Sequence, residues 1–240
     1  MNKLLYLKKI LEIEDFEVWE VDGEHIRNTM NREFTNFGQH YRFPFIPVHE
    51  FWIDKEFSKG ETEYFVNHML IEWHLMHAGR SYDHAIGVAD KNEITERKKS
   101  ELMMKVTSES EWKHKEVPKE IYKKRIKNYE YPKIWIISGE LVRDLYFIDF
   151  TEGGHHFVYD FVPFHEVWLD DDLNHDEIKF VLLHELHERY LMFKGLNYSK
   201  AHRSSSIIEY KCRRDPKLTK EKMDVEIELN LETKARATKD

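Results

Sequence analysis

Two kinds of hydrophobic pattern alternate along this chain, and the alternation occurs twice. Dense runs of branched and aromatic residues come first, and stretches with apolar positions three and four apart follow. In the second half, Lys133-Ile134-Trp135-Ile136-Ile137 predicts a strand ending in a turn at Ser138-Gly139, and the aromatic-rich run from Leu145 to Phe150 predicts another. Gly153-Gly154 marks a turn, with strands expected from His156 to Val162 and from Val167 to Leu169. Polarity changes at Asp170-Asp171-Asp172-Leu173-Asn174, a loop feeding a helix whose positive end is favoured by Asp176 and Glu177. Leu183, Leu186, Tyr190 and Phe193 form one apolar stripe, so the helix is expected from about Asp176 to Lys194, with Gly195 as its C′ residue. A second helix is expected from near Ser199 to Arg213. The first half repeats the plan, with helices expected at Glu61 to His77 and Asp83 to Arg97. Strands first and two helices after make each half α+β, a small antiparallel-rich sheet followed by a helix pair.

The repetition is a tandem duplication. Residues 12–99 and 128–215 align without a gap at an offset of 116 (His68 to His184), and 26 of the 88 aligned pairs are identical. Trp19 falls on Trp135, Gly23-Glu24 on Gly139-Glu140, and Pro47 to Asp54 on Pro163 to Asp170. A period this long belongs to a small domain, not to a solenoid unit. The expected organisation is an N-terminal lead (1–11), repeat 1 (12–99), a connector with some helix (100–127), repeat 2 (128–215) and a charged tail (216–240), read as solvated or partly disordered. The repeats are expected to form an intramolecular pseudo-dimer. They also control for each other: positions kept in both copies point to the shared fold, and chemistry present in one copy points to function.

Bulk composition narrows the setting. A hydrophobic content of 41% supports cores, while 34% charged residues leave no run near the roughly 18 uncharged apolar residues of a membrane span. The apolar run after Met1 is soon broken by Lys8-Lys9, too short for a secretion signal. A single cysteine, Cys212, excludes an intramolecular disulfide framework and fits a reducing compartment, so a cytoplasmic protein is expected. A net charge of −8 argues against a broad nucleic-acid surface. No nucleotide-binding glycine pattern occurs, and Ser204-Ser205-Ser206 lacks the glycine elbow of a serine nucleophile.

The sharpest local signal is Val181-Leu182-Leu183-His184-Glu185-Leu186-His187-Glu188. His184 and Glu188 lie four apart, so on a helix both can reach one metal ion. Glu185 directly follows the first ligand, where a carboxylate can take a proton from water that the cation polarises. The next helix offers His202 as a third ligand and Glu209 as a further ligand or as the residue orienting His202. A strand ending in Glu166-Val167-Trp168-Leu169-Asp170, an acidic loop and a helix carrying His184-Glu185-Leu186-His187-Glu188 resemble the core of zincin-type metallopeptidases, in an H-E-x-x-E variant. Gly195 to His202, with Glu209 beyond, extends the similarity over about residues 160–213. The resemblance implies His184, Glu188 and His202 as zinc ligands, Glu185 as general base and a protein or peptide substrate. Three departures stand out: Glu188 replaces the usual second histidine, His187 competes with it one residue earlier, and the spacing to His202 is unusual.

In repeat 1, His68 and Glu72 remain, but Met69 stands for Glu185 and Ile86 for His202. The expected function is therefore a zinc-dependent, peptidase-like hydrolase in repeat 2, with repeat 1 a degenerate copy. The alternative is a non-catalytic pseudo-dimeric binding module in which His184–Glu188 is a buried structural pair or the metal is structural. A redox Fe²⁺ site is a third reading. His155-His156 could add ligands or hold substrate, and a strand edge beside the helix could bind an extended peptide. His40, His49 and Glu50 match His156, His165 and Glu166, which points to strand-register or hydrogen-bonding roles, and Trp52 and Trp168 to core packing.

Overall fold

The computed structural model describes residues 5–57, 59–109 and 117–234. It is α+β, and it divides into two compact units: Met1–Glu111 with Arg143–Ile148, and Trp112–Val142 with Asp149–Asp240. The boundary therefore assigns residues 143–148 of the second repeat to the first unit.

In the first unit, strands β1 (Tyr6–Ile13) and β2 (Phe16–Val21) form an antiparallel hairpin. Helix α1 (Gly23–Thr29) and the short β3 (Phe37–Gln39) lead to β4 (Glu50–Asp54), which runs parallel to β2 and antiparallel to β3. The sheet order is β1-β2-β4-β3, and α2 (Thr62–His77), α3 (Tyr82–Arg97) and α4 (Glu101–Glu109) follow. The second half of the chain follows the same plan with β5 (Tyr122–Ile126), β6 (Lys133–Ile137), α5 (Gly139–Leu145, whose last three residues fall to the first unit), β7 (Gly153–His155) and β8 (Glu166–Asp170), in the order β5-β6-β8-β7. Helices α6 (Ile178–Phe193), α7 (Tyr198–Arg214) and α8 (Lys217–Lys234) complete it. Register is duplicated too: Trp19 pairs with Trp52 and Trp135 with Trp168.

Identical residues explain the shared geometry. The carboxylate of Glu50 accepts from Tyr6 Oη at 2.8 Å and Trp52 Nε1 at 2.7 Å; Glu166 accepts from Tyr122 Oη at 3.0 Å and Trp168 Nε1 at 2.9 Å. Gly23 and Gly139 open α1 and α5 with their backbone against the Asp54 and Asp170 carboxylates, where a Cβ would collide.

Several expected elements differ. Ser138-Gly139 opens a helix, not a turn, and the strand expected over Leu145–Phe150 is the end of α5 and a turn. Gly153-Gly154 lies inside β7, and His156–Val162 is irregular. These glycines serve close packing: a Cβ on Gly153 would press on the Trp168 carbonyl, and one on Gly154 on the Tyr159 ring. The lead and connector contain β1, α4 and β5. All three residues of β7 are buried, so this strand offers no open edge to a peptide beside α6.

The largest correction concerns the tail. Residues 217–234 form α8, and its Met223 shares one core with Leu183, Leu186 and Cys212. Its anchor is polar. Arg189, fully buried on α6, donates to Asn230 Oδ1 at 2.7 Å, Thr233 Oγ1 at 2.9 Å, Tyr131 Oη at 3.1 Å and the Phe164 carbonyl at 3.0 Å. Asn230 Nδ2 donates in turn to the Leu186 carbonyl at 2.9 Å. Lysine and glutamate richness hid a helix whose inner face carries only a few apolar residues. Removing one partner from a buried charged donor costs more than the bond contributed. Asn230→Leu is expected to lower the stability of the second unit by about 2–4 kcal/mol, read from urea unfolding, with the first unit's transition unmoved.

Candidate metal centre

The second unit draws its candidate site from α6, α7 and β7. Helical spacing puts His184 and Glu188 on one face of α6, and α7 lies alongside so that His202 meets them. His184 Nε2 is 3.2 Å from His202 Nδ1 and 3.7 Å from Glu188 Oε2; His202 Nδ1 is 3.0 Å from the same oxygen. Donor atoms on a zinc tetrahedron with bonds near 2.0–2.1 Å lie about 3.3 Å apart. The three distances bracket that edge length. The His202 side chain is 36% exposed against 11% for His184 and 3% for Glu188, so the cluster opens on the α7 side.

Behind the donors runs a chain of buried charges. His184 Nδ1 meets Glu209 Oε2 at 2.8 Å, Arg213 Nε donates to Glu209 Oε1 at 2.8 Å, and Arg213 Nη1 donates to Glu177 at 2.6–2.7 Å. This fixes the His184 ring with Nε2 facing the cluster. The first unit repeats the chain at the same offset: His68 Nδ1 to Glu93 at 2.8 Å, Arg97 Nε to Glu93 at 2.8 Å, and Arg97 Nη2 to Glu61 at 2.8 Å. Its donor set is incomplete: His68 and Glu72 remain, but Ile86 stands for His202 and Met69 for Glu185. His68 is thus held by Glu93 on the next helix, not by Glu72 on its own, so the retained histidine is a clamp between helices.

Glu209 therefore orients His184 rather than His202 and is not part of the donor cluster. His187 points elsewhere: its Nδ1 meets Glu226 on α8 at 2.7 Å and its Nε2 meets Ser204 Oγ at 2.9 Å. That serine–histidine–glutamate row resembles a nucleophilic triad in connectivity, but Ser204 sits within α7, where backbone N–H groups are committed to the helix and give no oxyanion hole. It latches α8 in place. Of the two adjacent histidines, His156 is packed against Phe157 and Phe164, its ring pushed down to about 3 by burial and by the charge of Arg189.

His155 is the residue that sequence reasoning undervalued. It is fully buried, and neither ring nitrogen has a hydrogen-bond partner; Nε2 lies 3.3 Å from Glu188 Oε1, poorly angled for a hydrogen bond. His155, Glu185 and Glu188 form a second group of donors within 4.8 Å of one another, sharing Glu188 with the first. The signal was in the alignment, since Gln39 stands at the matching position of the other copy. A neutral, buried, unpartnered imidazole beside a carboxylate suits a cation.

Electrostatics follow from these contacts. Burial, then the charge of Glu188, pushes Glu185 up to about 8. Burial also opposes the charge of Glu188, but contacts with His155, His184 and His202 outweigh it and hold this carboxyl below the usual range. His184 is likewise opposed by burial, yet Glu188 and Glu209 keep its imidazole protonated well above its ordinary value. Burial holds His155 in the neutral form. Comparison with known proteins finds no matching family model, no matching curated protein and no matching solved structure. Among the described residues, no helix is long and apolar enough to cross a membrane.

These shifts set a pH dependence. A group whose pKa is higher folded than unfolded stabilises fully below its unfolded value and loses that contribution as pH rises through the folded one. For Glu185 the loss falls between 4.5 and about 8, and for His184 it begins above 6.5. The lowered Glu188 and Glu209 are already ionised in this range and add no slope. The lowered His155 and His156 act in the opposite sense, their contribution rising with pH until it is complete just above their ordinary 6.5. With divalent metal removed, the second unit is expected to melt at a lower temperature at pH 8.5 than at pH 7. Glu185→Gln should make that drop shallower; an equal drop in the variant would remove Glu185 from the account.

Proposed function

We propose that the second unit is a zinc-dependent hydrolase acting on peptide bonds, in line with its sequence resemblance to zincin-type metallopeptidases. The observation that carries the reading is the convergence of His184 Nε2, His202 Nδ1 and Glu188 Oε2 at the spacing of ligands around one small cation. The fit is supported by His155, whose buried nitrogens have no other partner. A zinc ion held there supplies Lewis acidity, polarising a carbonyl and making water a usable nucleophile near neutral pH.

The remaining work belongs to the side chains. Glu209 fixes the ring and tautomer of His184, with its own position set by Arg213 and Glu177. Glu188 contributes the anionic donor. Glu185, in the neighbouring donor group, accepts a proton from the attacking water and returns it to the leaving amine. His202, the most exposed of the three donors, faces the side from which a substrate approaches.

One observation favours the second reading, a binding module with a structural metal: the first unit keeps the whole His68–Glu93–Arg97–Glu61 chain with Ile86 and Met69 in place of His202 and Glu185, so the scaffold stands without the complete site. Metal analysis and turnover separate the two. The hydrolase reading expects about one zinc per chain after dialysis, lost in His184→Ala. Glu185→Gln is expected to retain the metal while casein hydrolysis falls by about 100-fold or more. Metal retention with no hydrolysis by the parent chain would leave the module; no zinc or iron in the parent chain would end both metal readings. Glu209→Gln is expected to weaken zinc binding about 10–100-fold, measured by competition with a chromophoric chelator.

A further inference from the structure

The first unit has an open groove of about 600 Å³ along α2 and α3, and most of its lining corresponds to residues that meet α8 in the second unit. Shifted by 116, Glu14 becomes Glu130, which pairs with Lys234 of α8 at 2.9 Å. Leu70 becomes Leu186, whose carbonyl accepts from Asn230, and His74 becomes Tyr190, which donates to Glu232 at 3.2 Å. Ile71 and Val88 become His187, which meets Glu226 of α8, and Ser204, which holds the other nitrogen of that ring. Among the described residues, the same face is therefore covered by α8 in one copy and open in the other. Helix α4 begins at the position matching the start of α8 (Glu101 and Lys217, 116 apart) but lines no part of the groove.

The two faces differ where it matters for selectivity. The second unit meets α8 at this point with a histidine backed by a serine. The first unit presents half-buried Ile71 and exposed Val88 (38%). Acidic side chains mark both ends of the groove, Glu14 in an exposed pair with His74 at 2.7 Å and Glu96 with Lys99 at 2.7 Å, contacts that an incoming cation would exchange. Glu14 corresponds to the residue that pairs with Lys234, and Glu96 corresponds to Cys212, which feels the charge of Lys222. The occupant these features fit has lysine or arginine twelve positions apart, about 18 Å along a helix, with an apolar residue rather than Glu226 between them.

We propose that this groove is a docking site for an amphipathic helix of a partner protein, with an apolar stripe bracketed by two basic residues. This inference is independent of the hydrolase reading, since no residue of the groove belongs to the metal centre. It extends a helix-in-groove mode of recognition that the chain already uses on itself.

The probe is a fluorescein-labelled synthetic peptide of residues 217–234 carrying Glu226→Leu, added to the full chain and followed by anisotropy. Saturable 1:1 binding is expected, weakened at least tenfold by Ile71→Glu or by Val88→Glu. The surface pair Glu14→Gln with Glu96→Gln is expected to weaken it severalfold at low salt and should leave the fold untouched, so it carries the test if an apolar-site variant misfolds. The unaltered peptide, with glutamate opposite Ile71, is expected to bind more weakly. Absence of saturable binding would overturn the proposal. So would binding that these groove substitutions leave unchanged, which would mean exchange with α8 on the second unit.

Discussion

A row of buried charges running from an imidazole through a carboxylate and a guanidinium to a second carboxylate is the constraint on which each unit depends. Neither Arg213 nor Arg97 can be buried without acids on both sides. The acids come from different places: Glu209 and Glu93 on the second helix of each pair, Glu177 and Glu61 at the start of the first. Losing one member strands a charge in the interior at a cost of about 3–5 kcal/mol. The row therefore fixes the two helices against each other, and in the second unit it also decides which ring nitrogen of His184 faces His202 and Glu188. The row stabilises the helix pair whether or not the donor set is complete, since it is present in the unit where Ile86 stands for His202.

Much of this was legible in the sequence because the chain carries two versions of itself. Helices α2, α3, α6 and α7 follow from apolar spacing and fall within one or two residues of expectation. The convergence of His184, Glu188 and His202 follows from helical spacing plus a tight helix pair. The comparison between copies singled out Glu185 and His202, and it held His155 as well, at a position where the other copy has glutamine. That signal was lost beside His156, which is kept in both copies and packs among aromatic rings.

What was not legible has physical causes. Glycine was read as a turn former at Gly139 and Gly153-Gly154, where it is required because another chain segment comes too close for a Cβ. Tertiary proximity of this kind leaves no mark on the local hydrophobic pattern. The C-terminal helix was missed because its inner face is built on Asn230, Thr233 and Glu226, polar residues satisfied by partners far away in sequence. Charge content describes what a helix shows to water, not how it is anchored.

The single thiol of the chain lies under that last helix, almost fully buried in the core it shares with Met223. Cys212 is thus a native gauge of local opening. Its rate of alkylation measures how often α8 lifts from the second unit, separately from any global melting, and without a label having to be introduced.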